Sequence, residues 1–104
     1  MNETLTVTVR RENGNAVLDL TGEINASAEK NLTAAYAEAE SGQPDSVVLN
    51  FKDVVYINST GIALIVGLLA KARVSKRPLV AANLTEHYRE IFTITRLSDF
   101  ITIR

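Results

Sequence analysis

The chain opens with alternation. Leu5, Val7 and Val9 are interleaved with Thr4, Thr6, Thr8 and Arg10, a period of two with β-branched residues that predicts a strand. Asn13-Gly14 follows, the strongest short hairpin signal. Beyond it Ala16, Leu18 and Leu20 fall on one face of a returning strand and Val17 on the other. The period then lengthens. From about Ala26 to Ser41, Leu32, Ala35, Tyr36 and Ala39 recur at helical spacing, with Asn25 or Ser27 as the cap and Gly42-Gln43-Pro44 as the stop. Ser46 to Phe51 is nearly uninterrupted apolar sequence, as expected of a central strand covered on at least one face.

A second apolar stretch runs through Val54-Val55-Tyr56-Ile57, breaks at Asn58-Ser59-Thr60-Gly61, and resumes at once as Ile62 to Val74. The break reads as a loop tip and N-cap, because a short side-chain oxygen accepts from a free backbone N–H there. A helix over Ile62–Val74 is predicted behind it. That arrangement puts two hydroxyls at the positive end of a helix dipole. Leu79–Ala82 reads as a short strand. Leu84 to Thr95 reads as a helix with Leu84, Tyr88, Ile91 and Phe92 on one face, and residues 97–103 as a loop and last strand. The order β-β-α-β-α-β-α-β predicts an α/β domain spanning residues 1–104. Its sheet is mixed: an antiparallel N-terminal hairpin at one side, then parallel right-handed crossovers.

Composition narrows the chemistry. The 11 basic and 12 acidic residues leave a net charge of −1, which provides no electrostatic footprint for nucleic acid or an acidic membrane. There is no cysteine, hence no disulfide or thiolate nucleophile, and His87 is the single histidine, so no cofactor or metal is expected. Met1 to Val7 carries no basic start or apolar core of a signal peptide, and no apolar run approaches the ~20 residues of a span. A cytoplasmic chain with no direct membrane insertion is expected. The tripeptides at Asn2, Asn31, Asn58 and Asn83 are then chance matches to the glycosylation pattern.

No Gly-rich phosphate cradle and no Gly-x-Ser-x-Gly elbow occurs, which argues against a nucleotide-binding domain. His87, flanked by Glu86 and Glu90, reads as a polar surface residue rather than a base for Ser59. Lys71, Arg73, Lys76 and Arg77 read as helix-end chemistry rather than a phosphate patch. The chain is therefore expected to be a binding module and not an enzyme. Ser59 and Thr60 carry the chemistry that remains. As a cap alone they would be structural. As a phosphate acceptor, one of them would gain about −1.5 to −2 charge beside free N–H groups.

These residues resemble a known family. Tyr56-Ile57-Asn58-Ser59-Thr60-Gly61-Ile62 is similar to the Asp-Ser-Ser/Thr-Gly-Leu signature of the STAS domain, of the bacterial anti-sigma factor antagonist type. Leu20-Thr21-Gly22-Glu23-Ile24-Asn25, Val48-Leu49-Asn50-Phe51 and Ile91-Phe92-Thr93-Ile94-Thr95-Arg96-Leu97 are similar to three further family segments, in the right order. The resemblance implies a curved sheet with helices mainly on one side. It also implies partner switching: the unmodified antagonist binds an anti-sigma factor that is also a serine kinase, phosphorylation releases it, and a phosphatase resets it.

Carried over, Ser59 is the acceptor, with Thr60 second. Asn25, Tyr56, Ile57, Asn58, Ser59, Thr60, Gly61 and Ile62 form the partner surface. A scaffold or accessory STAS subunit of a signalling or transporter complex is the alternative. Asn58 and Asn25 stand where the family has Asp, and Arg96 where it has Gly. The family often continues into one more helix, so apolar surface near Phe100 and Ile103 is expected to be open to a partner. A small polar surface suggests a monomer when free.

Overall fold

The computed structural model describes residues 4–104, so the Asn2 tripeptide and the start of the segment scanned for a signal peptide lie outside the described residues. Five strands form one sheet in the order β1 (Leu5–Glu12), β2 (Asn15–Ile24), β3 (Val47–Ile57), β4 (Leu79–Ala82) and β5 (Thr102–Ile103). β1 and β2 pair antiparallel; β2–β3, β3–β4 and β4–β5 are parallel. The helices are α1 (Glu29–Ser41), α2 (Ser59–Val74) and α3 (Glu86–Ile94), with 3-10 turns at Ala26–Ala28 and Leu97–Asp99. The expected mixed sheet with parallel crossovers is present.

The hairpin closes on Asn13 and Gly14, with φ of 52° and 84°, the left-handed pair that matches strand twist. Leu18, Leu20, Leu49, Phe51, Leu79 and Ala81 then share one sheet face. All three helices pack there, through Leu32, Tyr36, Ile65, Leu68, Tyr88 and Phe92 among others. The opposite face carries Val17, Val48, Val80 and Ala82, a separate buried group. A polar chain shares that face: Arg10 donates to Asp19 at 2.6 Å and Asn50 donates to Asp19 at 2.8 Å. The Arg10 guanidinium holds the Asp19 carboxyl below its ordinary pKa.

Four element boundaries are corrected. β3 does not end at Phe51. It continues to Ile57 through two added residues, one between Asn50 and Asp53 and one between Val54 and Tyr56, opposite β2. These bulges change the spacing of buried residues to three (Phe51, Val54, Ile57), so alternation could not reveal the strand. α2 starts at Ser59 rather than Ile62, with Asn58 as its cap. α1 starts at Glu29 behind the 3-10 turn. α3 starts at Glu86, capped by Thr85.

The basic cluster after α2 also divides. Arg77 is not a solvated helix-end charge: its Nε donates to Glu40 at 2.5 Å, and its guanidinium donates to the Pro44 carbonyl. The Tyr36 hydroxyl donates to the same Glu40 carboxylate at 2.6 Å. Burial pushes the Glu40 carboxyl up, but the Tyr36 and Arg77 bonds outweigh it and its pKa lies below the ordinary value. Burial and the Glu40 charge raise that of Tyr36. This knot ties the end of α1 to the end of α2.

α1 has no basic residue in its last turn. Arg11 supplies the cation from β1, donating to the carbonyls of Ala39 (2.9 Å) and Glu38 (3.0 Å). Gly42 leaves room for it, since a Cβ there would lie 2.6 Å from the guanidinium. No helix among the described residues is long and apolar enough to cross a membrane.

Candidate functional site

β2 and β3 run side by side and finish on a paired Ile24 and Ile57. The next residue of each strand is an asparagine, and each asparagine caps a helical turn. Parallel neighbours lie about 4.8 Å apart, so Asn25 and Asn58 stand together at the top of the sheet. Two segments 33 positions apart in sequence therefore form one site.

Asn58 takes extended backbone angles (φ −91°, ψ −179°), and its side-chain oxygen accepts from Gly61 N at 2.8 Å. Its carbonyl accepts the first helical bond, from Ile62 N at 3.0 Å. Its own N–H donates to the Ile24 carbonyl at 3.2 Å, which fastens the tip to β2. Gly61 sits against that same carbonyl: a Cβ there would be 2.0 Å from the Ile24 oxygen. Glycine at this point is a matter of space, not of turn conformation.

Asn25 is anchored similarly. Its oxygen accepts from Ser27 N at 3.0 Å, Ser27 Oγ at 2.7 Å and Thr4 Oγ1 at 3.2 Å.

The third support comes from α3. β4 pairs with Val47–Asn50, so among the described residues the later half of β3 has no strand on that side. The buried Tyr88 hydroxyl fills the gap, accepting from Ile57 N at 2.8 Å. The residue before the cap is thereby held from both edges. The helical spacing that put Tyr88 on the core face carried no sign of this bond.

The eight residues expected to form the partner surface divide in two. Ser59, Thr60 and Tyr56 are exposed, and Asn25, Asn58 and Ile62 are half-buried around them. Ile57 and Gly61 are buried, so they position the tip instead of touching a partner. The bulges in β3 add Val55, 72% exposed beside Tyr56 at 53%, a pair of large apolar side chains that sequence periodicity had no means of placing outside.

Ser59 and Thr60 are the first two residues of α2, and an α-helix leaves its first N–H groups without internal acceptors. Asn58 takes the one at Gly61. Those of Ser59 and Thr60 have no acceptor among the described residues and lie at the positive end of the dipole, with no acidic residue in the first turn. The arrangement can accept an anion, and it presents two free hydroxyls beside an apolar shoulder. His87 is exposed, lies edge-on to the Tyr88 ring at 5.0 Å, and makes no hydrogen bond to Ser59 among the described residues. No cluster of His, Asp and Glu suited to a metal occurs among the described residues.

A family model described as "Mlab, STAS domain" matches residues 7–103. In sequence, the chain is 27% identical over 104 positions to the anti-sigma-F factor antagonist RsfB of Mycobacterium tuberculosis, covering 88% of this chain and 85% of that one. In structure, it is similar to an anti-sigma factor antagonist from Mycobacterium paratuberculosis (TM-score 0.79, 17% identity, 99% of this chain and 87% of that one). It is also similar to the Bacillus cell fate determinant SpoIIAA in its phosphorylated form (TM-score 0.71, 18% identity, 95% and 91%). With sheet order, capped tip and a match spanning nearly its whole length, the chain belongs to the STAS domain family.

Proposed function

We propose that this protein is an anti-sigma factor antagonist: it captures an anti-sigma factor with serine kinase activity through the Ser59 tip, is released by phosphorylation of Ser59, and is reset by a phosphatase. The observation that carries this reading is Ser59 itself, exposed at the first position of α2 on a tip clamped to β2 by Asn58 and Gly61. A phosphate on Ser59 meets free N–H groups, so the domain keeps its fold. A partner resting on Val55, Tyr56 and the tip meets new charge against apolar surface and loses its fit. The modification then switches an interface without unfolding the module, and the chain supplies recognition, not catalysis.

Asn58 and Asn25 shape this reading. Both cap as Asp does, without a carboxylate, so neither adds negative charge beside Ser59, and a phosphoryl group there meets less repulsion than two Asp residues would impose. The same neutrality favours a second reading, an accessory subunit whose tip docks with no phosphate involved.

Calorimetric titration of the anti-sigma kinase of the same genome with wild type, Ser59→Ala and Ser59→Asp tests both. Antagonism predicts binding by wild type and Ser59→Ala and at least tenfold weaker binding by Ser59→Asp. Equal affinity for all three contradicts the switch and favours the accessory reading.

A further inference from the structure

β1 is one of the two edge strands of the sheet, the other being the two-residue β5. The two-residue turn makes Glu12 and Asn15 its closing pair. Antiparallel alternation then turns the N–H and C=O of Thr6, Thr8 and Arg10 toward β2, and those of Leu5, Val7 and Val9 outward. Two bonds outside the ladder agree. Thr4 O accepts Glu23 N at 2.8 Å on the inner side, and Leu5 O accepts the Asn31 amide at 2.9 Å on the outer side. Among the described residues, the outward backbone groups of Val7 and Val9 have no such partner. Edges of this kind are ordinarily blocked by proline, a bulge or charge. From Leu5 to Val9 there is none of these.

We infer that a second copy of the chain occupies this edge, the two β1 strands pairing antiparallel about a two-fold axis at Thr8. That register sets Val7 against Val9 of the second copy and Val9 against its Val7. The two pairs exchange four backbone hydrogen bonds. Thr8 meets Thr8 on the open face, a favourable cross-strand pair. Arg10 falls opposite Thr6 and Arg11 opposite Leu5, so no like charges face each other.

The helix layer obeys the same axis. α1 runs parallel to β1, since Asn31 bonds Leu5 while Arg11 reaches Glu38 and Ala39. The two-fold therefore sets the start of α1 against the end of its mate. Lys30, exposed at one end, comes toward the exposed Glu38 at the other, a complementary pair made twice. Between them the outer residues are small, Ala34 and Ala37. The groove between β1 and α1, ≈ 280 Å³ and lined by Val7, Val9, Ala34 and Ala35, receives the incoming valines. The Ser59 tip follows β3, two strands from this edge, so both tips of the dimer stay open.

This dimer and the free monomer expected from composition are opposed, and sedimentation equilibrium of the full chain separates them. Wild type is expected to approach twice 11.4 kDa as concentration rises into the hundreds of micromolar. Thr8→Lys and Thr8→Glu, both on the exposed face, are each expected to stay at 11.4 kDa with an unchanged circular dichroism spectrum, and their equimolar mixture to regain the dimer mass. Val7→Pro, which removes an outward N–H and no ladder bond, is expected to be monomeric too. A wild type that stays monomeric, a dimer that persists in the single variants, or a mixture that fails to re-form it would each overturn the proposal.

Discussion

Two glycines of the same helix make a matched experiment. Gly61 faces the Ile24 carbonyl, and an added Cβ would lie 2.0 Å from its oxygen, 2.8 Å from its carbon and 3.0 Å from Ile57 Cγ2. Two of these neighbours are backbone and cannot swing aside. The start of α2 would have to recede by about 1.4 Å to reach ordinary contact, stretching the 3.2 Å bond from Asn58 N to Ile24 O beyond use. Overpacking of this kind costs about 1–3 kcal/mol and the lost bond about 1 kcal/mol. The better helix propensity of alanine returns at most about 1 kcal/mol. Gly61→Ala is therefore expected to destabilise by about 2–3 kcal/mol, a fall in Tm of roughly 10 °C or more for a domain of this size.

Gly67 lies about one and two-thirds turns along, exposed, with nothing within 4 Å of an added Cβ. There the propensity gain stands alone, and Gly67→Ala is expected to stabilise by up to about 1 kcal/mol. Urea and thermal unfolding followed by circular dichroism measure both. A Gly61→Ala variant as stable as wild type would refute the clamp geometry on which the site rests, and a Gly67→Ala variant less stable would refute the open space at that position.

Asn58→Ala removes the cap of α2 and is expected to cost about 1 kcal/mol in urea unfolding. Asn58→Asp keeps it and adds a favourable charge at the dipole, about 0.3–1 kcal/mol at low salt, lost at high salt. Tyr88→Phe strands the buried Ile57 N–H and is expected to lower stability by about 1–3 kcal/mol. The Ile57 amide, and those of Asn58 and Gly61, should exchange hydrogen faster. Glu40 titrates below the ordinary glutamate value of about 4.3, so its contribution is fully present above that pH and disappears as pH falls through the folded-state value. Glu40→Gln is thus expected to lower Tm at neutral pH and to differ progressively less from wild type as the pH is taken below about 4.

What the sequence made legible was local. The Asn13-Gly14 turn, the apolar face of α1 and the caps at Asn25 and Asn58 are short-range decisions, written in adjacent residues. The cap at Asn58 could be read because Asn, Ser and Thr all accept at a helix start. Which of the three caps could not be read, and so the start of α2 was expected three residues late. The late half of β3 was hidden because its bulges abolish alternation. Arg11, Tyr88 and Arg77 share a different cause. Each closes a backbone or charge deficit in an element far along the chain, 28 residues away for Arg11 and Ala39 and 31 for Tyr88 and Ile57, and no periodicity encodes such a partner. Arg96 shows the opposite case. It stands where the resemblance has glycine, and it does take a left-handed conformation (φ 65°, ψ 16°), held by its bond to Asp99 at 2.9 Å.

The central claim is that Ser59 on its clamped tip is the phosphate acceptor, with Asn58 sufficient in place of Asp. Intact-mass analysis after incubation with ATP and the anti-sigma kinase of the same genome tests it most directly. One added phosphate is expected in wild type, none in Ser59→Ala, and an unchanged result in Thr60→Ala. A kinase-bound wild type that gains no phosphate, or a phosphate that survives in Ser59→Ala, would contradict it.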